Sequence, residues 1–496
     1  MFPDLGSLLN VFTPFSFLLM FLGVFGGLVI GALPGLTGTM AVALLVPITF
    51  GMPFEQGITL LVAVFVGAIS GGLVAASLLN IPGTPASVAT TFDAYPMVCR
   101  GEAGKALGIG VFASFAGCVV SFLFLVTLTP LLGKIALFFG PCEYFSLVVF
   151  TLTCIASISK KSQVKGFLAG ALGLLLSTVG LSEVDAVPRF TFDTDLLQSG
   201  FNVMPVLIGI YAISQIMDEI KSIRSPVKIP HTDFTINEFW GVVKLCMRSW
   251  KNILRSSIIG TGIGILPGIG AGLSNIVAYS QAKAASKEPE TFGTGNPDGI
   301  IASESANNAS CGGSLIPLLA LGIPGDSTTM MMLGAFMIQG LQPGPLLIRD
   351  NPEVMLSIQV AFFVSTFLML FLQIRFIKLL IKALSVSRPI LYPIILALCA
   401  IGCFALNSSM SDVWIFFIMG LIGILLNKLD FPTLPLVLGL LLGKMAEDHL
   451  RTSLVLGHGT FSEYFNHPIA LIFLAISAFS MIWSLYKNRK FQSSNA

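Results

Sequence analysis

The sequence contains few charges for its length. Charged residues make up 10% of the 496 residues, whereas apolar residues make up 54%. A soluble globular domain usually contains about 25% charged residues, so the composition excludes an ordinary soluble protein. Apolar runs near the ~20 residues of a spanning helix recur up to Trp483, and the alternating ten-residue segments of a spanning β-barrel are absent. We therefore expect an all-α polytopic membrane protein with about 10–12 transmembrane segments.

The sequence also lacks the motifs of several enzyme and metal-binding classes. None of its eight cysteines forms a CxxC pair, and its four histidines lack metal-ligand spacing. The glycine-rich GTGNPDG at 293–299 has no Gly-Lys-Ser/Thr, which excludes a P-loop ATPase. No Ser-His-Asp arrangement is visible, and the net charge of +2 does not indicate nucleic-acid binding. We expect no enzyme activity, no nucleic-acid partner and no cofactor other than a coupling cation, Na⁺ or H⁺.

Two pairs of helix-breaking motifs organise the chain. The first pair is GALPGLTGTM at 31–40 and GGLVAASLLNIPGTPAS at 71–87. The second pair is GILPGIGAGLSN at 264–275 and CGGSLIPLLALGIPGDSTT at 311–329. Proline removes a backbone donor and glycine frees the backbone dihedral angles, so helices end at these points. Because the two pairs follow the same order, they predict an internal duplication with broken or re-entrant helices.

The distribution of charge predicts the direction of each half. Basic residues cluster at 160–165, 218–255, 375–388 and the C-terminus, and the positive-inside rule makes these segments cytoplasmic. The acidic loop 182–200 is then periplasmic, and the two motif pairs run in opposite directions, as inverted-topology repeats do. We expect the segment between Gln281 and Ser310 to be a polar stretch before the next helix. The predicted divisions are repeat 1 at 1–217, a cytoplasmic linker at 218–255 with an amphipathic helix, repeat 2 at 256–486 and a cytoplasmic tail at 487–496.

The motif regions contain no basic residues. Lys and Arg are absent between Leu36 and Cys99, between Ser256 and Ala282, and between Glu288 and Ile348. A carboxylate there must bind to helix N-termini, hydroxyls and amides, while free carbonyls suit Na⁺. The candidate substrate-binding residues are Thr37, Gly38, Thr39, Asn80, Pro82, Gly83, Thr84, Ser87, Gly268, Gly270, Ser274, Asn275, Asn307, Asn308, Gly325, Asp326, Ser327, Thr328 and Thr329.

Three acidic residues are candidates for coupling to a cation. These are Glu304, Asp326 and Asp93, because ionisable groups near membrane depth are commonly functional. The alternative is a loop carboxylate that caps a helix or faces water. We expect Na⁺ near the two Pro-Gly breaks without assigning its ligands, and we expect Gly83 and Gly325 to let substrate reach the backbone. The alternative for each glycine or proline is close helix packing or a simple kink.

The motifs resemble the TctA-type large permease subunit of the tripartite tricarboxylate transporters. The resemblance rests on GALPGLTGTMAVALLVPITFG, NIPGTPASVATTFDAYPM, GILPGIGAGLSN, SESANNASCGGSLIPLLALGIPG and PLVLGLLLGKMAEDHLRTSL. It implies a small four-helix membrane subunit, a periplasmic solute-binding protein and a carboxylate substrate taken up with a cation gradient. It also implies a multi-pass protein of the bacterial inner membrane, in contact with the lipid bilayer.

Two positions depart from the pattern of that family. Ala94 stands where the family usually has glycine after Asp93, and Asp326 stands where a small neutral residue is usual. Because Asp326 adds negative charge beside an anion, it argues against citrate. We expect a secondary active transporter of a small tricarboxylate or dicarboxylate. The alternatives are an ion or solute channel, which needs a continuous polar pore, and a non-transporting membrane scaffold.

Overall fold

A computed structural model describes residues 13–158, 163–182, 187–198, 200–221, 236–268, 270–384 and 388–494. These residues are almost entirely helical, with one small antiparallel sheet of Gly180–Leu181 and Pro188–Arg189 in the described part. Among the described residues, six helices are long and apolar enough to cross a membrane, and six more apolar helices are shorter. The chain is an all-α polytopic membrane protein, as predicted.

The first half of the sequence forms ten helices in the described ranges. Several end or begin at prolines and glycines of the two motifs. They are α1 (Pro14–Ala32), α2 (Gly38–Thr49), α3 (Phe54–Leu79), α4 (Val88–Cys99), α5 (Ala103–Ala136), α6 (Pro141–Ile158), α7 (Gln163–Ser177), α8 (Asp195–Gln198), α9 (Val203–Ile208) and α10 (Ser214–Lys221). A 3₁₀ turn, Pro85–Ser87, precedes α4, and a π-helical turn, Gly209–Ile213, joins α9 to α10.

The second half continues in the same manner. Its described helices are α11 (Ile236–Arg248), α12 (Trp250–Ile265), α13 (Gly270–Ala285), α14 (Pro297–Leu321), α15 (Ser327–Ile338), α16 (Pro345–Asp350), α17 (Pro352–Ala383), α18 (Arg388–Asn407), α19 (Met410–Lys428), α20 (Thr433–Leu456) and α21 (Pro468–Ser494).

The chain forms two compact units. One contains the described residues up to Lys134 together with Gln215–Gly402, and it holds all four motifs. The other contains Ile135–Ser214 and the described residues from Cys403 onward. The predicted division at 217 and 256 concerns sequence repeats rather than compact units, and it stays a prediction. The predicted tail at 487–496 continues α21 as far as Ser494.

Two helix pairs form the frame of the unit that holds the motifs. Gly27 and Gly31 of α1 lie so close to α3 that an added Cβ would overlap the carbonyl oxygens of Val64 and Ala68. Gly260 of α12 approaches the carbonyl oxygen of Ala306 on α14 in the same way. Small residues allow two helix backbones to approach this closely in a membrane. The duplicated motifs therefore have duplicated packing, while the opposite direction of the repeats stays a prediction.

The prediction that a polar segment separates two helices between Gln281 and Ser310 is wrong for most of that range. Helix α13 extends to Ala285, and α14 begins at Pro297, so only residues 286–296 lie between these two helices. The polar residues from Gly299 to Ser310 lie on α14 and are buried. A polar helix can be buried when neighbouring helices supply hydrogen-bond partners, and hydropathy alone does not reveal those partners.

The amphipathic helix of the linker, which the sequence predicts from Phe239 to Leu254, is α11 and is shorter than predicted. It ends at Arg248, and α12 starts at Trp250, six residues before the predicted start of repeat 2 at Ser256. Trp240 is 66% exposed and Trp250 is 52% exposed, and their role as interfacial anchors stays a prediction. Residues 222–235 of the linker, the basic Lys160 and Lys161, and the acidic Glu183 and Asp185 lie outside the described residues, so their sidedness stays a prediction.

Candidate functional site

The two Leu-Pro-Gly breaks have the same backbone form. Helix α1 ends at Ala32 and α12 at Ile265, and each is followed by an extended leucine. Gly35 and Gly268 then adopt positive φ angles of 87° and 74°, which glycine tolerates without strain. The next helix begins within three residues in both cases. The breaks are therefore built from local sequence, as the motif predicts.

A glutamine distant in the sequence ties the first break in place. Gln215 of α10 donates from its Nε2 to the carbonyl oxygen of Gly35 at 2.8 Å. Its Oε1 accepts a hydrogen bond from the hydroxyl of Thr37 at 3.1 Å. Thr37 also caps α2 by accepting from the N–H of Met40 at 3.3 Å. Sequence reasoning missed Gln215, because nothing local connects it to the motif.

The two Ile-Pro-Gly breaks also correspond to each other. Asn80 after α3 and Gly322 after α14 both have left-handed conformations, with φ of 53° and 72°. Asparagine and glycine are the residues that tolerate this conformation at a helix C-terminus. Asn80 is exposed, so the structure gives it a backbone role at the break.

The helices that restart after the breaks pair across the two halves. Helix α2 packs against α15, and the hydroxyls of Thr39 and Thr328 lie 3.2 Å apart. Helix α13 packs against the Pro85–Ser87 turn, where Asn275 Nδ2 donates to the carbonyl oxygen of Ala86. Aligning the Ile-Pro-Gly breaks matches Thr328 with Ala86, whereas aligning the Leu-Pro-Gly breaks matches Thr39 with Gly272 rather than Asn275. The two contacts therefore join corresponding helices through different residues. The N-terminal ends of restarted helices, which carry positive partial charge, thus meet in two pairs.

Gly83 and Gly325 are close-packing positions. A Cβ on Gly83 would lie 2.7 Å from the carbonyl oxygen of Gly31 and 2.7 Å from the Cα of Gly72. A Cβ on Gly325 would overlap the carbonyl oxygen of Gly264 in the same manner. The close approach expected for substrate is made here by protein backbone. The carbonyl oxygen of Gly325 also accepts from the N–H of Gly268 at 2.8 Å, joining the two second-half breaks.

Asp326 caps α15. Its Oδ1 accepts hydrogen bonds from the N–H of Thr329 at 2.7 Å and from the hydroxyl of Thr329 at 2.8 Å. In return the Thr329 hydroxyl accepts from the N–H of Asp326 at 2.9 Å, which completes a capping box. In the first half Thr84 occupies the matching position, and its N–H donates to the hydroxyl of Ser87 at 3.2 Å.

Glu304 lies inside α14 and is fully buried. Thr90 of α4 donates its hydroxyl proton to Oε1. Ser114 of α5 donates to Oε2 at 3.0 Å, and Asn308 Nδ2 lies 3.5 Å from the same oxygen. The alternative of a loop carboxylate that faces water is therefore wrong for Glu304.

The neighbouring asparagines of α14 differ in their hydrogen bonding. Asn308 Oδ1 accepts from the hydroxyl of Ser70 on α3, so both ends of its amide are used. Asn307 is equally buried, but its Nδ2 and Oδ1 make no hydrogen bond with the described residues. The Oδ1 of Asn275 is also buried without a partner there. An unpaired buried polar atom is costly, so these atoms mark where a ligand or water can bind.

Asp93 is also fully buried, which makes the alternative of a water-facing carboxylate wrong. Its Oδ1 accepts backbone N–H bonds from Gly293, Gly295 and Asn296 at 2.9, 2.8 and 2.7 Å. Its Oδ2 accepts from the hydroxyl of Tyr279 at 2.8 Å. Asp93 thus fastens the loop before α14 to α4.

The other predicted residues occupy the surroundings of the breaks. Gly38 lies beside Thr328, Gly270 lies beside Asp326, and Ser274 donates to the carbonyl oxygen of Ala271. Pro82 and Ser327 are half-buried at their breaks. The residues that sequence reasoning missed are Ser70, Thr90, Ser114, Gln215 and Gln373, which are all polar side chains within or beside apolar helices. Gln373 of α17 donates from its Nε2 to the carbonyl oxygen of Ser70 at 3.1 Å.

Comparison with known proteins identifies relatives of the chain. The family model described as "Tripartite tricarboxylate transporter TctA family" matches residues 17–438. An uncharacterised 52.8 kDa protein of the TAR-I ttuC' 3' region of Agrobacterium vitis is 34% identical over 484 residues, covering 95% of this chain and 94% of that protein. A second uncharacterised protein, from the TAR-II ttuC' 3' region, is 34% identical over 226 residues, covering 46% of this chain and 93% of that protein. No solved structure matches the chain.

Proposed function

Because the chain belongs to the TctA family of tripartite tricarboxylate transporters, we propose that it imports a small organic carboxylate across the bacterial inner membrane by cation symport. The membership makes it one subunit of a transporter that has other subunits. In our proposal a small four-helix membrane subunit completes the permease. A periplasmic solute-binding protein delivers the substrate.

The charge of the motif region supports an anionic substrate. The stretches that form the breaks contain no Lys or Arg, so the positive potential there comes from helix N-termini. Restarted helices from both halves meet at the Thr39–Thr328 contact and at the Asn275–Ala86 contact. Paired broken helices of this kind bind anionic substrates in other secondary transporters. A substrate carboxylate would bind to the free N–H groups and hydroxyls there.

The Thr39–Thr328 contact is the observation that carries the proposal. Each hydroxyl lies at the start of a restarted helix, and the two belong to different halves of the chain. A pair of hydroxyls 3.2 Å apart can offer two O–H donors to one carboxylate. A hydrogen bond to a charged group contributes about 1.5–3 kcal/mol, so losing one should weaken binding roughly 10- to 150-fold.

The test uses the complete transporter in proteoliposomes with the binding protein supplied. We expect Thr39→Val and Thr328→Val each to raise the half-saturation constant for carboxylate uptake by about 10-fold or more. Thr127→Val is the matched control, because the Thr127 hydroxyl is exposed and donates to its own helix at Leu123. Unchanged half-saturation in both variants would place the anion elsewhere. If uptake by the unaltered protein stops once the substrate concentration inside equals that outside, the protein is a channel instead.

A further inference from the structure

The carboxyl group of Glu304 is buried without a basic partner. Its relative exposure is 0%, and its three side-chain contacts come from two hydroxyls and an amide. Helices α3, α4 and α14 contain no Lys or Arg. On α5 the basic residues are Lys105 and Lys134, at the two ends of the helix and away from Ser114.

A lone buried carboxylate is unfavourable. The effective cost of burying an unpaired ion is several kcal/mol, even when hydrogen bonds remain. Proteins remove this cost by pairing the charge or by neutralising it. No side-chain cation reaches Glu304 among the described residues, so these residues leave the neutralising charge to a bound cation or a proton.

Asn307 supplies a second sign of a missing ligand. It lies one helical turn after Glu304, beside the same carboxyl group. Both polar atoms of its side chain are buried, and neither reaches the distance and angle of a hydrogen bond with the described residues, although the amide lies beside the Glu304 carboxyl group. The unused Oδ1 can coordinate Na⁺, or it can accept a hydrogen bond from a protonated carboxyl group. Hydroxyl oxygens of Thr90, Ser303 and Ser114 complete a set of oxygen ligands.

We propose that Glu304 and Asn307, with Thr90 and Ser114, bind the monovalent cation that is carried with the substrate. This inference rests on the proposed symport for the role of the cation, although the site itself can be tested without transport. A single carboxylate is neutralised by one positive charge, which both Na⁺ and a proton supply. Among the described residues no group of three or more His, Cys, Asp or Glu could hold a metal ion, so the site does not suit a transition metal.

The other two acidic candidates are less suited to this role. The Oδ1 of Asp93 accepts three backbone N–H bonds and its Oδ2 accepts the Tyr279 hydroxyl. The Oδ1 of Asp326 is held by the cap of α15. Glu304 is the one of the three whose neighbour on the same helix retains unused polar atoms.

Titratable groups around Glu304 are few and identifiable. On α5 the Cys118 thiol points at the carbonyl and Oδ1 of Asn308, each at 3.8 Å. Cys311 lies two turns further along α14 and is buried. On α4 the nearest is Asp93, and on α13 it is Tyr279, which are hydrogen-bonded to each other. Helices α3 and α12 contribute no titratable side chain between Gly57 and Leu79 or between Ser256 and Ile265.

The first experiment measures cation binding on the purified full-length chain. Thermal unfolding is followed against NaCl, with choline chloride as the ionic-strength control, and separately against pH without Na⁺. We expect one of the two series to raise the unfolding temperature of the unaltered protein, and Glu304→Gln to abolish that response. Glu143→Gln is the matched control, because Glu143 is a buried carboxyl outside the motif region and pairs with His467 at 2.8 Å. Equal responses in the unaltered and Glu304→Gln proteins, or no response in either, would overturn the site.

The second experiment connects the site to transport. In proteoliposomes we expect Glu304→Gln to lose gradient-driven accumulation at least tenfold, while the control Glu143→Gln stays within about threefold of the unaltered protein. Accumulation by Glu304→Gln that still follows the same cation gradient would overturn the inference. If the unaltered protein binds the cation but its uptake ignores both gradients, the proposed symport fails while the site stands.

A milder variant covers the case in which Glu304→Gln folds poorly. Ser114→Ala removes one hydroxyl donor at 3.0 Å and leaves the carboxyl group in place. We expect it to change the half-saturating cation concentration by about tenfold, with little change in the maximal uptake rate. An unchanged cation dependence in Ser114→Ala would count against Glu304 as the binding group.

Discussion

Helices α3 and α14 occupy matching positions in the two halves and differ in chemistry. Both are long, both are buried along their lengths, and both pack closely against the helix that precedes a Leu-Pro-Gly break. Aligning the Ile-Pro-Gly breaks matches Val62 with Glu304 and Phe65 with Asn307. The first half thus has an apolar core at the level where the second half has a carboxyl group and two amides.

The comparison separates the residues that form the frame from the residues that can bind a ligand. The glycines recur in both halves because close helix packing is needed in both. The polar side chains of α14 from Ser303 to Ser314 match apolar residues or glycine on α3, so packing does not explain them. The packing glycines are duplicated, whereas the polar residues occur in one half. Substitutions of the glycines should therefore have similar effects in both halves, and substitutions of the polar residues should not.

The largest effect is expected when the charge is moved to the apolar helix. Val62 is fully buried, so Val62→Glu places a carboxyl group where no hydroxyl or amide is prepared for it. We expect a loss of about 3–5 kcal/mol in stability, enough to remove most folded protein from the membrane. The reverse exchange, Glu304→Val, leaves the Thr90 and Ser114 hydroxyls without their acceptor, so we expect a smaller loss of about 1–3 kcal/mol in stability and no gradient-driven uptake. Size-exclusion chromatography of detergent-extracted protein measures the yield of folded protein, and an uptake assay measures transport. Equal yields for the two variants would contradict the asymmetry between α3 and α14.

Packing glycines should be equally sensitive in both halves. Gly27→Ala and Gly260→Ala introduce a Cβ against a neighbouring backbone carbonyl, which we expect to cost about 1–3 kcal/mol. Gly26→Ala and Gly262→Ala are controls on the same helices, because a Cβ there meets no atom within 4 Å. The controls should be neutral or slightly stabilising, since alanine favours a helix over glycine. Thermal unfolding of the four variants tests this, and a control as damaging as its partner would contradict the duplicated frame.

The glycine frame could be predicted from the sequence, whereas the polar site could not be predicted in detail. The Pro-Gly breaks depend on local backbone chemistry, and their positions follow from the motif. The sequence around Glu304 predicts a loop, because it is rich in Ser and Asn. Its helical state depends on Ser70, Thr90 and Ser114, which lie 190 or more residues away in the sequence and supply its hydrogen bonds.

The same limit applies to the individual candidate residues. Sequence reasoning treats Asn307 and Asn308 alike, because they are adjacent and chemically identical. Only the three-dimensional packing reveals that Asn308 is fully hydrogen-bonded and that Asn307 is not. Gln215 was missed for the same reason, since its partners at the first break are 178 and 180 residues away.

The adjacent asparagines allow an intermediate-sized test. Asn308→Ala leaves the Ser70 hydroxyl without its acceptor, so we expect a loss of about 1–3 kcal/mol in stability. Asn307→Ala removes atoms that have no partners, so stability should be unchanged or slightly higher. The cation dependence of uptake should nevertheless weaken in Asn307→Ala. Thermal unfolding and uptake against cation concentration separate the two variants, and a stability loss in Asn307→Ala would mean that its amide already has a structural partner.

The smallest effect concerns the two caps that follow the Ile-Pro-Gly breaks. Asp326 and Thr84 occupy matching positions, and aspartate and threonine both cap helices well, so Asp326→Thr should change stability by less than about 1 kcal/mol. The exchange removes one negative charge beside the restarted helices of the proposed site. An anion should therefore bind more tightly to the variant, and the gain should increase with the charge of the anion because Coulomb repulsion scales with that charge. We expect Asp326→Thr to lower the half-saturation constant more for a tricarboxylate than for a dicarboxylate, by several-fold. Asp326→Asn retains a capping residue and provides the control for side-chain size. If, in each variant, the half-saturation constants for the tricarboxylate and the dicarboxylate change by the same factor, Asp326 serves only as a cap and does not select among carboxylates.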